Sequence, residues 1–106
     1  LFDVGWPDAP HRVLMNSTLA AWDAAGRPPR GARPGEGEVL ATAGRGRLIR
    51  YASNTPPPDA EGDIEALSLW AGQGVGAVDA VNPAGQIVRD IAAEADGVIG
   101  RLAGQR

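Results

Sequence analysis

Residues 82–102, Asn-Pro-Ala-Gly-Gln-Ile-Val-Arg-Asp-Ile-Ala-Ala-Glu-Ala-Asp-Gly-Val-Ile-Gly-Arg-Leu, hold the clearest periodicity in the chain. Ile87, Val88, Ile91, Ala95, Val98, Ile99 and Leu102 recur at steps of three and four, the spacing that puts apolar side chains on one face of an α-helix. Arg89, Asp90, Glu94, Asp96 and Arg101 fall on the other face. Asn82 is expected to cap this helix, with Pro83 in its first turn, where a missing N–H costs nothing. Such a one-sided helix lies on something. Its apolar contacts alone do not offset the entropy of ordering it, so it needs a broad surface to cover.

The rest of the chain is poorly stocked to be that surface. Alanine makes up 19 of the apolar residues, and Leu, Ile, Val and Phe together number 22. We therefore expect a missing scaffold, and read a chain that opens at Leu1 as a segment of a longer protein. With no cysteine, disulfides and thiolate metal sites are excluded, and the single His11 makes no zinc site unaided. No apolar run approaches the length of a membrane span, and no signal segment opens the chain. The expectation is a soluble, cytoplasmic protein with no membrane partner.

Charge is unevenly placed. Residues 27–50 carry six Arg against two acids, while residues 51–106 carry eight acids against three Arg, for a net charge of −3. All ten basic residues are Arg, which with the abundance of Ala, Gly and Pro reads as the codon bias of a GC-rich genome. Gly and Pro interrupt the basic middle and aromatics for base stacking are absent from it, so nucleic acid is not an expected partner.

Working back along the chain, three blocks separate. Residues 1–26 are a connector and a helix. Phe2, Val4 and Trp6 sit among Gly5, Pro7 and Pro10 as docked extended chain. Asn16 or Ser17 then caps a short helix through Leu19, Trp22 and Ala25, stopped by Gly26 and Pro28-Pro29. Residues 27–62 are a loop with no core-forming side chain, then a hairpin, then a proline-extended linker. The hairpin pairs Val39–Thr42 with Leu48–Tyr51 around Gly44-Arg45-Gly46. Residues 63–106 are expected to begin with a cap at Asp63 and a helical face through Ile64, Leu67 and Trp70 or Ala71, broken at Gly72 before the terminal helix. About three helices and one hairpin are expected, joined by long Pro- and Gly-rich loops.

Residues 69–78, Leu-Trp-Ala-Gly-Gln-Gly-Val-Gly-Ala-Val, have a glycine density that asks for a local reason. Glycines allow either tight packing at a turn or close approach of a ligand, and the residues alone leave both open. The run lacks the third glycine of the dinucleotide fingerprint. Gln73 is its one long polar side chain, able to donate and accept. His11, between Pro10 and Arg12, has nothing nearby to tune it and reads as a surface or docking residue. Trp6, Trp22 and Trp70 are expected to fill the core rather than to stack on a ligand. Asp63 and Glu65, two apart, point to different helix faces rather than forming an acid pair. Arg45, Arg47 and Arg50 read as solvated charge.

Residues 69–78, followed by Pro83-Ala-Gly-Gln-Ile-Val-Arg-Asp-Ile-Ala-Ala-Glu-Ala95, resemble the carboxy-terminal signature of nitronate monooxygenases and of related flavin-dependent enoyl reductases. Phe2–Pro7 and His11–Trp22, Arg27–Val39, and the Arg50–Ser53 and Glu61–Leu67 blocks look similar to the same family. The resemblance implies a (β/α)8 TIM barrel of the α/β class, of which residues 1–106 form the carboxy-terminal part, docked on barrel strands upstream. It also implies FMN as cofactor and oxidation of alkyl nitronates by dioxygen to carbonyl compounds and nitrite, or use of NAD(P)H in relatives. Gly72, Gln73 and Gly74 are then expected to bind the cofactor. No catalytic or metal-ligating residue is expected in this chain, because the family's active-site histidine lies upstream and His11 does not match its position. The alternative from a different class is a stand-alone interaction module that docks or dimerises through its terminal helix, without enzymatic activity.

Overall fold

In a computed structural model, which describes residues 1–105, the hairpin at the centre of the chain governs the architecture. Strands β1 (Val39–Ala43) and β2 (Gly46–Ile49) pair antiparallel, in register from Ala43 opposite Gly46 to Val39 opposite Ile49, with an irregularity between Val39 and Ala41. The short β3 (Glu61–Gly62) adds to the other edge of β1, also antiparallel, giving the order β2-β1-β3. This open antiparallel sheet overturns the expected (β/α)8 barrel as the fold of the chain. The local cause is visible. The two-residue connection at Gly44-Arg45 permits only antiparallel pairing, whereas parallel strands need a crossover of about a dozen residues, usually helical. The segment that returns to β1, residues 54–60, is too rich in proline to supply one.

The chain divides into two units, Leu1–Val75 and Gly76–Arg106. In the first, α1 (Ser17–Ala24) forms as expected: the Asn16 side chain accepts from Leu19 N–H, and the chain turns at Gly26 with φ +82°. Asn16 does more than cap. Its side-chain amide donates to the carbonyls of Glu65 and Leu67, each at 2.8 Å, while the Thr18 hydroxyl donates to Ala66 O at 2.6 Å. These bonds occupy carbonyls that a helix over 64–71 would have used. The helical face expected there is accordingly absent: Ala66, Leu67 and Ser68 are consecutive and all buried, a pattern no single helix face can produce. Asp63 caps nothing, and its N–H instead donates to Leu40 O at 2.8 Å, holding the chain against the sheet.

The core comprises Leu40, Ala41, Ala66 and Leu67, with Leu48 and Ile64 packed on it. Beside these, Phe2 and Tyr51 are buried, their ring centroids 6.4 Å apart. The tryptophans expected to fill the core do not: Trp6 is 54% and Trp70 44% exposed, and Trp22 is half-buried with its indole N–H donating to Pro28 O. The loop at 27–37, expected to contribute nothing to the interior, places Arg33 there. Its side chain is 3% exposed and donates to Asp3, Glu36 and Leu1 O while lying over the Tyr51 ring.

In the second unit, α2 (Ala84–Ala103) spans the expected stretch, but Pro83 rather than Asn82 takes the N-cap position and no side chain caps it. None of its residues is buried; Val88, Ile91, Ile99 and Leu102 are each at least 60% exposed. Among the described residues the helices therefore number two, with a 3-10 turn over Gln73–Ala77 in place of the third.

Candidate functional site

The segment that leads into the glycine run is fixed by a short ladder. Leu14 N–H donates to Leu69 O at 2.8 Å and Ala71 N–H to Arg12 O at 3.0 Å, on either side of an antiparallel bridge between Val13 and Trp70. The ladder sets Trp70 beside His11, with ring centroids 4.9 Å apart, and Trp6 lies 5.8 Å from Trp70. The Trp70 indole N–H donates to the buried Ser68 hydroxyl at 2.7 Å, which fixes the ring's orientation. Residues from three stretches thus form one aromatic surface left substantially open. Sequence reasoning missed it, because Trp6, His11 and Trp70 are far apart in the chain; the only advance signal was three large aromatics in a sequence with so little else to pack around them.

Gly72, Gln73 and Gly74 follow directly and are all exposed. The turn is closed by Val75 N–H donating to Gly72 O at 3.2 Å. A Cβ added at Gly72 or Gly74 would meet nothing within 4 Å among the described residues, so these glycines present open backbone rather than a packed turn. His11 Nδ1 lies 2.8 Å from Ala9 O. A carbonyl only accepts, so Nδ1 carries the proton, and Nε2 remains as an acceptor in the neutral ring.

Several ionised groups elsewhere in the first unit are held by partners within it. Burial works to raise the Asp3 carboxyl, but its hydrogen bond and attraction to the Arg33 guanidinium outweigh this and hold it below the usual range. The bond from Arg33 likewise holds Glu36 low. Arg33 itself is pushed up: burial opposes its charge, and the bonds to Glu36 and Asp3 more than compensate. Glu65, far from pairing with Asp63, accepts from both the N–H and the hydroxyl of Ser17 at the start of α1, which lowers its carboxyl. Arg50 is not solvated as expected. Its side chain is 15% exposed, pairs with Glu38 at 2.9 Å and donates to the buried Thr18 hydroxyl. Arg45 and Arg47 do stand exposed.

No cluster of three His, Cys, Asp or Glu suited to a metal ion occurs among the described residues, and no helix among them is long and apolar enough to cross a membrane. The groups able to receive an organic cofactor are the Trp6–His11–Trp70 surface and the adjoining Gly72-Gln73-Gly74 turn. No protein-family model, curated protein or solved structure matches this chain.

Proposed function

We propose that this chain is part of a flavin-dependent oxidoreductase of the nitronate-monooxygenase kind, and that Trp70, Gly72, Gln73 and Gly74 form a wall against which FMN lies. The observation that carries the reading is the half-exposed aromatic surface running directly into a turn with open backbone at two glycines. The parts fit a flavin. An indole face offers stacking to a planar ring system, glycines let a ring edge approach the backbone, and Gln73 offers both a donor and an acceptor to the ring's nitrogen and oxygen atoms. The glycine run and the terminal-helix signature that resemble the family add to this.

Bound FMN supplies the electron-transfer chemistry, by which alkyl nitronates are oxidised with dioxygen to carbonyl compounds and nitrite. The chain's own residues bind and orient. Trp70 is held in place by Ser68 and by the ladder to residues 12–14. His11 has its Nδ1–H committed to Ala9 O, so we assign it to the aromatic surface and not to proton transfer.

The test is made on the intact protein translated from the reading frame that contains these residues. It should purify with flavin absorbance and release nitrite from an alkyl nitronate in air, whereas the 106-residue chain alone should release none. A colourless intact protein with no nitrite release overturns the reading.

A second reading rests on α2, whose exposed apolar stripe from Ile87 to Leu102 suits a stand-alone module that dimerises through this helix. Sedimentation separates the two. A concentration-dependent dimer of the 106-residue chain favours the module.

A further inference from the structure

Two cations flank the tip of the β1–β2 hairpin, Arg45 in the turn and Arg47 on β2. Both line a pocket of about 170 Å³ with Leu48, Asn54, Thr55 and Pro57. Among the described residues, Arg27, Arg33 and Arg50 each hold a carboxylate, while Arg45 and Arg47 hold none.

The pocket's two walls are tied together. Gly44 N–H donates to the Asp59 carboxylate at 2.8 Å, and Ala60 N–H closes a turn on Pro57 O at 3.0 Å, so the 54–60 segment is fixed beside the hairpin. Leu48 is anchored on the core cluster beneath. No acidic residue lines the pocket. Two carboxylates sit on the supporting elements. Asp59 is engaged by Gly44, and Glu61 sits on β3, separated from Arg47 by Thr42, which pairs with both.

We propose that this pocket binds a phosphate group. Two guanidinium groups match the charge of a phosphate dianion and offer forked donors to its oxygens, and the Asn54 amide and Thr55 hydroxyl can supply neutral donors. A carboxylate, with one charge and two oxygens, uses only half of this set. Size decides the class of ligand: drug-sized molecules occupy about 300–1,000 Å³, so this pocket takes a headgroup and leaves any substituent outside. Leu48 and Pro57 give an apolar edge for a substituent to lie on. The site is separate from the Trp70–Gly74 surface, and the proposal stands whether or not that surface meets a flavin.

The test is a titration of the 106-residue chain, followed by amide chemical shifts, with inorganic phosphate, phenyl phosphate and acetate at constant ionic strength. Phosphate should give saturable shifts confined to residues 43–48 and 54–57, with acetate at least tenfold weaker. Tighter binding of phenyl phosphate identifies an esterified ligand; equal or tighter binding of inorganic phosphate identifies the free ion. Arg45→Ala and Arg47→Ala should each weaken binding at least tenfold, with the rest of the spectrum unchanged, while Arg30→Ala should leave it intact. Shifts that do not saturate, acetate binding as tight as phosphate, or the same affinity in the Arg45→Ala and Arg47→Ala chains would overturn the proposal.

Discussion

The Arg33 guanidinium lies 4.3 Å from the centre of the Tyr51 ring, and both residues are buried. Around this stack the first unit closes. The Tyr51 hydroxyl donates to Pro34 O at 2.7 Å, Arg33 reaches Leu1 O and Asp3 Oδ1, each at 2.8 Å, and Val4 and Ser53 N–H groups link the opening segment to the strand exit at Tyr51–Ser53. A cation here costs desolvation, and two carboxylates, a carbonyl and an aromatic face offset it.

Replacing that cation should unfold the opening segment first. Arg33→Met keeps the stem but leaves Asp3, Glu36 and the Tyr51 face without their partner. Both acids remain partly solvated, so the expected loss is about 2–3 kcal/mol, below the ~3–5 kcal/mol of breaking a fully buried pair. Arg33→Lys should recover little of it, because an ammonium cannot fork to two carboxylates and stack at once. Urea denaturation of the chain checks both. A loss under half a kilocalorie in Arg33→Met would show the stack to be incidental.

Acid should weaken the same unit. Asp3, Glu36 and Glu65 each have a carboxyl lowered in the folded chain, so the unfolded state binds protons more readily. Their stabilisation is fully present above the unfolded values, about 3.9 for Asp and 4.3 for Glu, and is lost as pH falls through the lower folded values. Thermal midpoints should be level from about pH 6 to 7 and decline below about pH 4. A midpoint that rises on acidification contradicts the assignment.

Gly62 is the position in β3 that no other residue fits. Its φ is +135°, and an added Cβ would lie 2.7 Å from Ala41 Cα and closer still to Leu40 O. Gly62→Ala should cost more than the ~1–2 kcal/mol of forcing a side chain into left-handed backbone, because a clash with the backbone of β1 adds to it. Amide exchange should show protection lost at Asp63, whose N–H bonds to Leu40 O, while β1–β2 stays protected.

How much of this was legible follows from which forces are local. Helix α1, with Asn16 as one of two candidate caps, and its stop at Gly26 were readable, as were the extent of α2 and the hairpin about Gly44-Arg45-Gly46, whose second strand runs Gly46–Ile49 rather than on to Tyr51, because capping, turn chemistry and apolar period lie within a few adjacent residues. The segment 64–71 was misread because its helical spacing is real, yet Asn16 and Thr18, about fifty residues earlier, take its carbonyls. Strand β3 was hidden in a linker since two residues carry no period. Arg33 looked like loop charge, as nothing in Arg-Pro-Gly-Glu-Gly announces that Asp3 and Tyr51 will surround it. The aromatic surface had the same defect: Trp6, His11 and Trp70 meet only after residues 12–14 and 69–71 have paired. The (β/α)8 expectation came from resemblance and not from any strand pattern here, and the open antiparallel sheet corrected it.

The most direct measurement of the flavin proposal is the dissociation constant for FMN of the intact protein, compared between native Gln73 and Gln73→Ala, with thermal melts of both flavin-free proteins alongside. One net hydrogen bond is worth about 0.5–1.5 kcal/mol, so Gln73→Ala should bind FMN roughly two- to twelvefold more weakly with an unchanged flavin-free melting point. Unchanged FMN affinity and turnover with a lowered melting point would place Gln73 in the turn's own structure and contradict the assignment of this surface to a flavin.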